Sequence, residues 1–267
     1  MNSTASIPHT GKPGNRAELQ GAEPKTHPDS RMEPMFWVPP GAGSLLDVGC
    51  NTGALLYEFR HRYPNMELAG IDINEVALQV ARGILPGVEL HRAFGYELPF
   101  ASERFEYATC IEVIEHVPER HRPQLVSEIR RVLRPGGRLI LRCPHAGMFD
   151  WLDAQNFRFR FPNLYKTLVG QGNRDSNYEE AREELIWHHH FTREELLSVA
   201  GSSWTEEACH LGGLMLFPIS DIIRWPFYRM KRTDNWLVKA MEKMATAELA
   251  VDFGKRSYDI LLVLKKS

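Results

Sequence analysis

The sequence predicts an α/β domain built on a parallel sheet with helices on both faces. Three observations predict it. Short apolar, β-favouring runs alternate with helical stretches from Ser44 to Leu141, the order of repeated βαβ units. The first run, Leu45-Leu46-Asp47-Val48, ends in the turn Gly49-Cys50-Asn51-Thr52-Gly53, and a helical pattern follows at once. The second run, Gly70-Ile71-Asp72-Ile73, ends in an acid. It lies about 20 residues beyond the turn, where a nucleotide-binding βαβ unit carries a carboxylate for ribose hydroxyls.

Each element follows in order. Strands are expected over 44–48, 67–72, 88–92 and 105–111, and helices over 53–62, 74–82 and 122–133. Pro135-Gly136-Gly137 ends the last helix and opens a strand over 137–143. Thr192-Arg193-Glu194-Glu195 reads as a capping box, with Glu195 able to bond back to Thr192, and the helix it opens stops near Gly201. Trp204 to His210 reads as a sixth strand. Tyr258 to Leu264 is solidly apolar, as a buried last strand should be.

Residues 1–30 are rich in Pro, Gly, Ser, Thr, Asn and charge, and are expected to be disordered. Residues 31–267 then form a single domain. Met32, Met35, Phe36, Trp37 and Val38 either cover the sheet or fold over a ligand. Two stretches, 144–190 and 211–253, exceed what the core needs and are expected to serve substrate recognition at the carboxyl edge of the strands.

The acid before the glycines separates two kinds of nucleotide site. A pyrophosphate on a helix N-terminus calls for Gly-x-Gly-x-x-Gly. Here the pattern is Asp47-x-Gly49-x-Asn51-x-Gly53, and an anionic Asp47 suits a cationic ligand such as a sulfonium bearing an amino group. Further along come Glu112-Val113-Ile114-Glu115-His116-Val117, just past the fourth strand, and Leu133-Arg134-Pro135-Gly136-Gly137.

With these four motifs in order, the chain resembles the class I S-adenosylmethionine-dependent methyltransferases (methyltransferase type 11). It is most similar to the subgroup that includes the ubiquinone-biosynthesis O-methyltransferases. The resemblance covers residues 43–143 well and 186–264 more loosely. It implies a Rossmann-like seven-stranded, mostly parallel sheet ending in an antiparallel hairpin of strands 6 and 7. It also implies S-adenosyl-L-methionine as cofactor.

By that resemblance Gly49, Asn51 and Gly53 form the loop beside the methionine and ribose portions, and Asp47 orients it. Asp72 takes both ribose hydroxyls with Ile73 beside it, and Ile111 and Glu112 flank the methionine part or the transferring methyl. The chain departs from the family where an acid usually meets the adenine amino group. Phe94 stands there, and either it stacks on the base with Gly95 offering its backbone or adenine recognition is weaker in this chain.

On the acceptor side, His145 directly follows the fifth strand, and Trp187-His188-His189-His190-Phe191 precedes the capped helix. His145 and His189 are the candidate general bases. Three consecutive histidines do not converge easily on one ion and no nearby acid–His spacing completes a site, so no metal is expected. Glu115 and His116 read as helix-turn packing. Asn156 to Lys166 alternates Phe and Arg, either as a ligand-reading surface or as a segment with one face buried.

Composition narrows the partners. The 267 residues are 43% hydrophobic, with a formal charge of -2, and give no global pull toward nucleic acid. The four cysteines, Cys50, Cys110, Cys143 and Cys209, form no metal spacing and read as reduced thiols in a cytoplasmic protein. No signal-peptide pattern opens the chain. Leu211 to Arg232 combines apolar and aromatic residues with flanking Arg and Lys. That suits either peripheral membrane contact or a hydrophobic cap on the sheet.

The expected function is methyl transfer to a small-molecule or lipid-linked acceptor, with oxygen as the acceptor atom. The rival from another class is a non-catalytic S-adenosylmethionine-binding or regulatory protein, for which Phe94 is the argument. An NAD-dependent oxidoreductase is disfavoured by the Asp47-x-Gly49-x-Asn51 loop.

Overall fold

Five β-favouring runs become the parallel strands β1 (Ser44–Val48), β2 (Glu67–Asp72), β3 (Glu89–Arg92), β4 (Phe105–Ile111) and β5 (Leu133–Pro144). A computed structural model describes residues 31–153, 156, 160–161, 163, 188–229 and 235–267. Residues 1–30, most of the Phe-Arg alternation, Trp187 and the basic end of the 211–232 segment lie outside the described residues. Helices α1 (Ala54–Arg62), α2 (Glu75–Ile84) and α3 (Arg122–Val132) connect the parallel strands. After β5 come α4 (Arg193–Ala200), β6 (Trp204–Gly212), α5 (Leu216–Arg229), α6 (Trp236–Leu249) and β7 (Asp259–Lys266).

The seven strands form one sheet in the order β3-β2-β1-β4-β5-β7-β6. β7 runs antiparallel to both β5 and β6, so the terminal hairpin is inserted with its last strand inside. β7 is buried almost throughout, which accounts for its unbroken apolar run. β1 has β2 on one side and β4 on the other. The strand order reverses at this point, the place where open α/β sheets bind ligands beyond the carboxyl ends of their strands.

Side chains alternate along the strands and feed two cores. Leu46, Val48, Ala69 and Ile71 join Leu125, Ile129 and Val132 of α3 and Leu196 of α4. Leu45 and Leu68 join Leu56 and Phe59 of α1 and Leu78 and Ile84 of α2. Met32, Met35, Val38 and Leu249 belong to this second core. Tyr63 donates to the Val38 carbonyl at 3.0 Å, and Trp37 stacks on His210 of β6. The segment 31–38 is therefore a cover on the sheet.

Local chemistry sets most boundaries. Asn74 caps α2, its side chain accepting from Val76 and Ala77. The capping box at Thr192 and Glu195 is formed in both directions. The Pro-Gly-Gly element differs from expectation. β5 begins at Leu133 because Leu133 already pairs with Phe105, and the register then shifts. Gly136, at φ 74°, absorbs that irregularity without ending the strand.

The stretch between β6 and β7 is helical. Glu248 of α6 accepts from the N–H groups of Leu214, Met215 and Leu216 and so satisfies the start of α5. Ile222, Trp236 and Met244 remain exposed. Among the described residues no helix is long and apolar enough to cross a membrane.

Candidate functional site

The turn after β1 and the acid after β2 meet as their spacing predicts. Gly49 has φ 80° and Asn51 φ 48°, so the turn needs left-handed backbone twice in three residues, and asparagine tolerates it. A Cβ on Gly49 would run into Val113 Cγ2. The N–H groups of Gly49 and Cys50 both donate to the Ile71 carbonyl at 2.8 Å, which ties the turn to β2.

Asp72 then takes one backbone N–H on each carboxylate oxygen. Asn51 donates to Oδ2 and Asn74 to Oδ1, both at 2.8 Å. Each oxygen keeps a further acceptor site. Burial raises the Asp72 pKa, and the two N–H groups counter it. Gly53, at φ 80°, starts α1, and a Cβ there would lie 2.6 Å from Leu85 Cδ1.

Asp47 departs from its expected role. Its Oδ1 accepts the Thr109 hydroxyl at 2.7 Å, so Asp47 joins β1 to β4 and does not bond the turn. Asp72 is the residue that orients the loop. Burial pushes the Asp47 pKa up to about 7, against the Thr109 bond and helped by the nearby Asp72 charge.

Ile73 is half-buried, and its carbonyl accepts from Arg92 Nε at 3.1 Å. Phe94 is half-buried with its ring stacked on Tyr96. Gly95 is a packing glycine, since a Cβ there would lie 2.6 Å from Leu125 Cδ1. Ile111 packs on the second core.

Glu112 has φ 54°, a conformation that costs a non-glycine residue about 1–3 kcal/mol and marks functional sites. Its carboxylate lies 3.5 Å from Arg142 Nε, and Asp259 lies 3.4 Å from the same atom. Burial disfavours the Arg142 cation, but Asp259 and Glu112 outweigh it and raise its pKa. Arg142 is the first residue that sequence reasoning missed. Its signal was an arginine inside the apolar strand Leu139-Ile140-Leu141-Arg142-Cys143.

Beyond β4 and β5 the fold gathers acids and histidines. His188 and His190 are buried, and both ring systems meet Asp153 Oδ2, His188 Nδ1 at 2.5 Å and His190 Nε2 at 3.0 Å. Asn156 accepts from the His188 N–H and donates to its carbonyl, each at 2.9 Å. Glu115 is 1% exposed, and among the described residues neither carboxylate oxygen has a hydrogen-bond partner. Its Oε1 lies 3.6 Å from His116 Nε2 and 3.7 Å from His188 Nε2.

Burial pushes the Glu115 pKa up to about 7, opposed by His188. Burial works against the His188 cation, yet Asp153 and Glu115 carry its pKa up to about 10. Glu115 is thus buried in its turn and also faces His116 and His188. His188, His190, Asp153 and Asn156 were also missed as site residues, because residues far apart in the chain supply the acids to the histidines.

The two candidate bases part company. His145 is buried beside this network, its Nδ1 2.9 Å from the Ser257 carbonyl and its own carbonyl 3.1 Å from His190 Nδ1. His189 lies apart, because alternate residues of an extended segment point to opposite sides. It is half-buried, edge-on to Phe191 and 3.9 Å from Glu195. Burial and Arg122 lower its pKa.

Two groups hold donor atoms within 4.8 Å of one another: Glu115, His116 and His188, and Asp153, His188 and His190. Imidazole nitrogen and carboxylate oxygen are the donors of divalent metal sites. In the second group the atoms are engaged with each other. The fold brings both acids to these histidines from distant parts of the chain.

Residues 45–137 match the model of a methyltransferase domain family. This chain carries a class I S-adenosylmethionine-dependent methyltransferase domain. The matched span runs from β1 through the start of β5 and holds the Gly49 turn, Asp72 and Glu112.

A ubiquinone biosynthesis O-methyltransferase of Alkalilimnicola ehrlichii is 36% identical over 122 residues, 42% of this chain and 47% of that protein. A tRNA (carboxymethyluridine(34)-5-O)-methyltransferase of Saccharomyces cerevisiae is 33% identical over 103 residues, 38% of this chain and 36% of that protein. The chain thus spans about half the length of the first of these relatives and less of the second.

Among solved structures, an S-adenosylmethionine-dependent methyltransferase from Methanosarcina mazei superposes with a TM-score of 0.53 at 19% identity, over 88% of this chain and 97% of that one. The cyclase SpnF matches equally well at 0.53 and 17% identity, over 85% of this chain and 76% of that one. A methyltransferase-domain fold therefore leaves the reaction to the site.

Proposed function

We propose that this chain moves a methyl group from S-adenosylmethionine to an oxygen atom of a small-molecule or lipid-linked acceptor. The observation that carries the choice of oxygen is Glu115, buried, without a hydrogen bond among the described residues and 3.7 Å from His188. A hydroxyl acceptor must lose a proton, and a carboxylate raised to about 7 is matched to that task.

Bound S-adenosylmethionine supplies a methyl group already activated on its sulfonium. The chain's own residues supply placement and water exclusion. Asp72, fixed by Asn51 and Asn74, accepts the ribose hydroxyls. Gly49 and Gly53 let the loop backbone approach, and Asp47 offers negative charge toward the amino group. Ile111 and Glu112 flank the methionine end, while Ile73, Phe94 and Gly95 line the base.

His145 and His189 stay the histidine candidates for proton removal, and His145 has the better support. A carbonyl only accepts, so His145 Nδ1 donates to Ser257 and Nε2 is the nitrogen left to take a proton. Peripheral membrane contact through residues 211–232 belongs to the same reading, supported by the exposed Ile222 on α5. A small molecule is preferred to nucleic acid on the net charge of -2.

Titration calorimetry with S-adenosylmethionine and S-adenosylhomocysteine tests the cofactor, with binding expected to weaken at least about tenfold in Asp72→Ala. Methyl-labelled cofactor with phenols and lipid-linked sugars then tests the acceptor. Tight binding with no transfer to either would favour the non-catalytic reading.

A further inference from the structure

The chain leaves β3 tightly beside the ribose-side acid, since the Ala93 N–H donates to the Asp72 carbonyl at 3.2 Å. Phe94 is next. Its ring stacks on Tyr96 at 5.0 Å and 12°, and Tyr96 stacks on His121 at 4.3 Å and 12°. Three near-parallel rings thus stand in a row that ends on Phe94. Among the described residues Tyr96 is the one ring partner of Phe94, and Phe94 is only half-buried, so the row has room for another ring at that end.

Gly95 sets this arrangement. A Cβ there would lie 2.6 Å from Leu125 Cδ1 and 3.1 Å from Val48 Cγ1, so the backbone is pressed onto the core and the flanking rings turn outward together. Residues 93–96, Ala-Phe-Gly-Tyr, carry no acid. Of the acids that follow, Glu97 is exposed, and Glu128 is occupied by the Leu98 N–H and by Arg131.

We propose that the Phe94–Tyr96–His121 stack is the platform for the cofactor's base, which is read as a flat ring and not through its 6-amino group. The site then accepts a 6-oxopurine nucleoside of the same kind. Stacking is tolerant because every base has a π-face. A site that instead aims a buried acceptor at the amino group rejects an analogue lacking it by orders of magnitude. This inference rests on the cofactor reading above.

The test is calorimetry on the full chain with S-adenosylhomocysteine and S-inosylhomocysteine, in which a carbonyl replaces the 6-amino group and N1 gains a hydrogen while the flat ring is kept. Affinities within about tenfold of each other are expected from a stacking platform. A larger loss for the inosyl compound, with S-adenosylhomocysteine still bound, overturns the proposal. If neither binds, the cofactor reading itself fails. Phe94→Leu keeps the apolar volume and removes the ring face. It should weaken both compounds by the same factor, about tenfold, with the far-ultraviolet dichroism unchanged. Unchanged affinity in that variant also overturns the proposal.

Discussion

Asp153 and His188 stand 35 residues apart in the chain, and their side chains meet at 2.5 Å in the interior. Burial works against both charges. The two histidines nevertheless hold Asp153 well below the usual carboxylate range, and Asp153 with Glu115 lifts His188 from 6.5 to about 10. Asp153→Asn should lower stability by about 3–5 kcal/mol, the cost of breaking a buried pair. A raised histidine pKa contributes fully below 6.5 and fades as the pH rises toward about 10. A depressed carboxyl pKa contributes above 3.8 and is lost in acid. The gap in Tm between wild type and variant should therefore narrow at both ends. A gap that is flat with pH would contradict the pairing.

Asp47 titrates in the opposite sense to a paired carboxylate. Folding raises its pKa from 3.8 to about 7, mainly by burial, so the native state holds the proton longer than the unfolded chain. Its effect on stability is absent below 3.8 and becomes a growing cost as the pH rises through that window. A cationic cofactor favours the ionised form. S-adenosylmethionine binding should strengthen several-fold between about pH 6 and about pH 8, and Asp47→Asn should flatten that dependence. Calorimetry across the pH series checks both.

Glu115, the proposed base, is ionised at a cost in stability. Its buried carboxylate has no hydrogen bond among the described residues, so Glu115→Gln should raise Tm at neutral pH and above, where the wild-type group ionises. The same change should lower turnover by about 10²-fold or more, as loss of a general base does. Equal turnover in the variant would remove Glu115 from the reaction.

His145 and His189 are expected to behave differently. His145→Ala should lower turnover, and rescue by added imidazole would separate proton transfer from lost packing. His189→Ala, at a half-buried position away from Asp153, should leave turnover within a few-fold of wild type. The reverse result would place the acceptor on the α4 side of the histidine segment.

Much of the fold is written locally. Apolar runs of strand length, the Asn74 cap and the Thr192–Glu195 box mark their elements without help from distant residues. The Gly49 turn and Asp72 were legible for the same reason. A left-handed turn demands particular residues, and the βαβ unit fixes their distance. The start of β5 was not legible, because pairing of Leu133 with Phe105 overrides the turn signal of Pro-Gly-Gly.

The sequence by itself determined the α/β order, the glycine turn after β1 and the acid that ends β2. Only the tertiary structure decided that Asp72, and not Asp47, orients the loop, and that Arg142 lies between Glu112 and Asp259. It also decided that Glu115, Asp153, His188 and His190 share one buried network. The reason is physical. Periodicity and caps act over a few residues and survive in the linear text. The charge state of a buried acid or histidine depends on desolvation and on neighbours brought from 35 or more positions away, which no local pattern records.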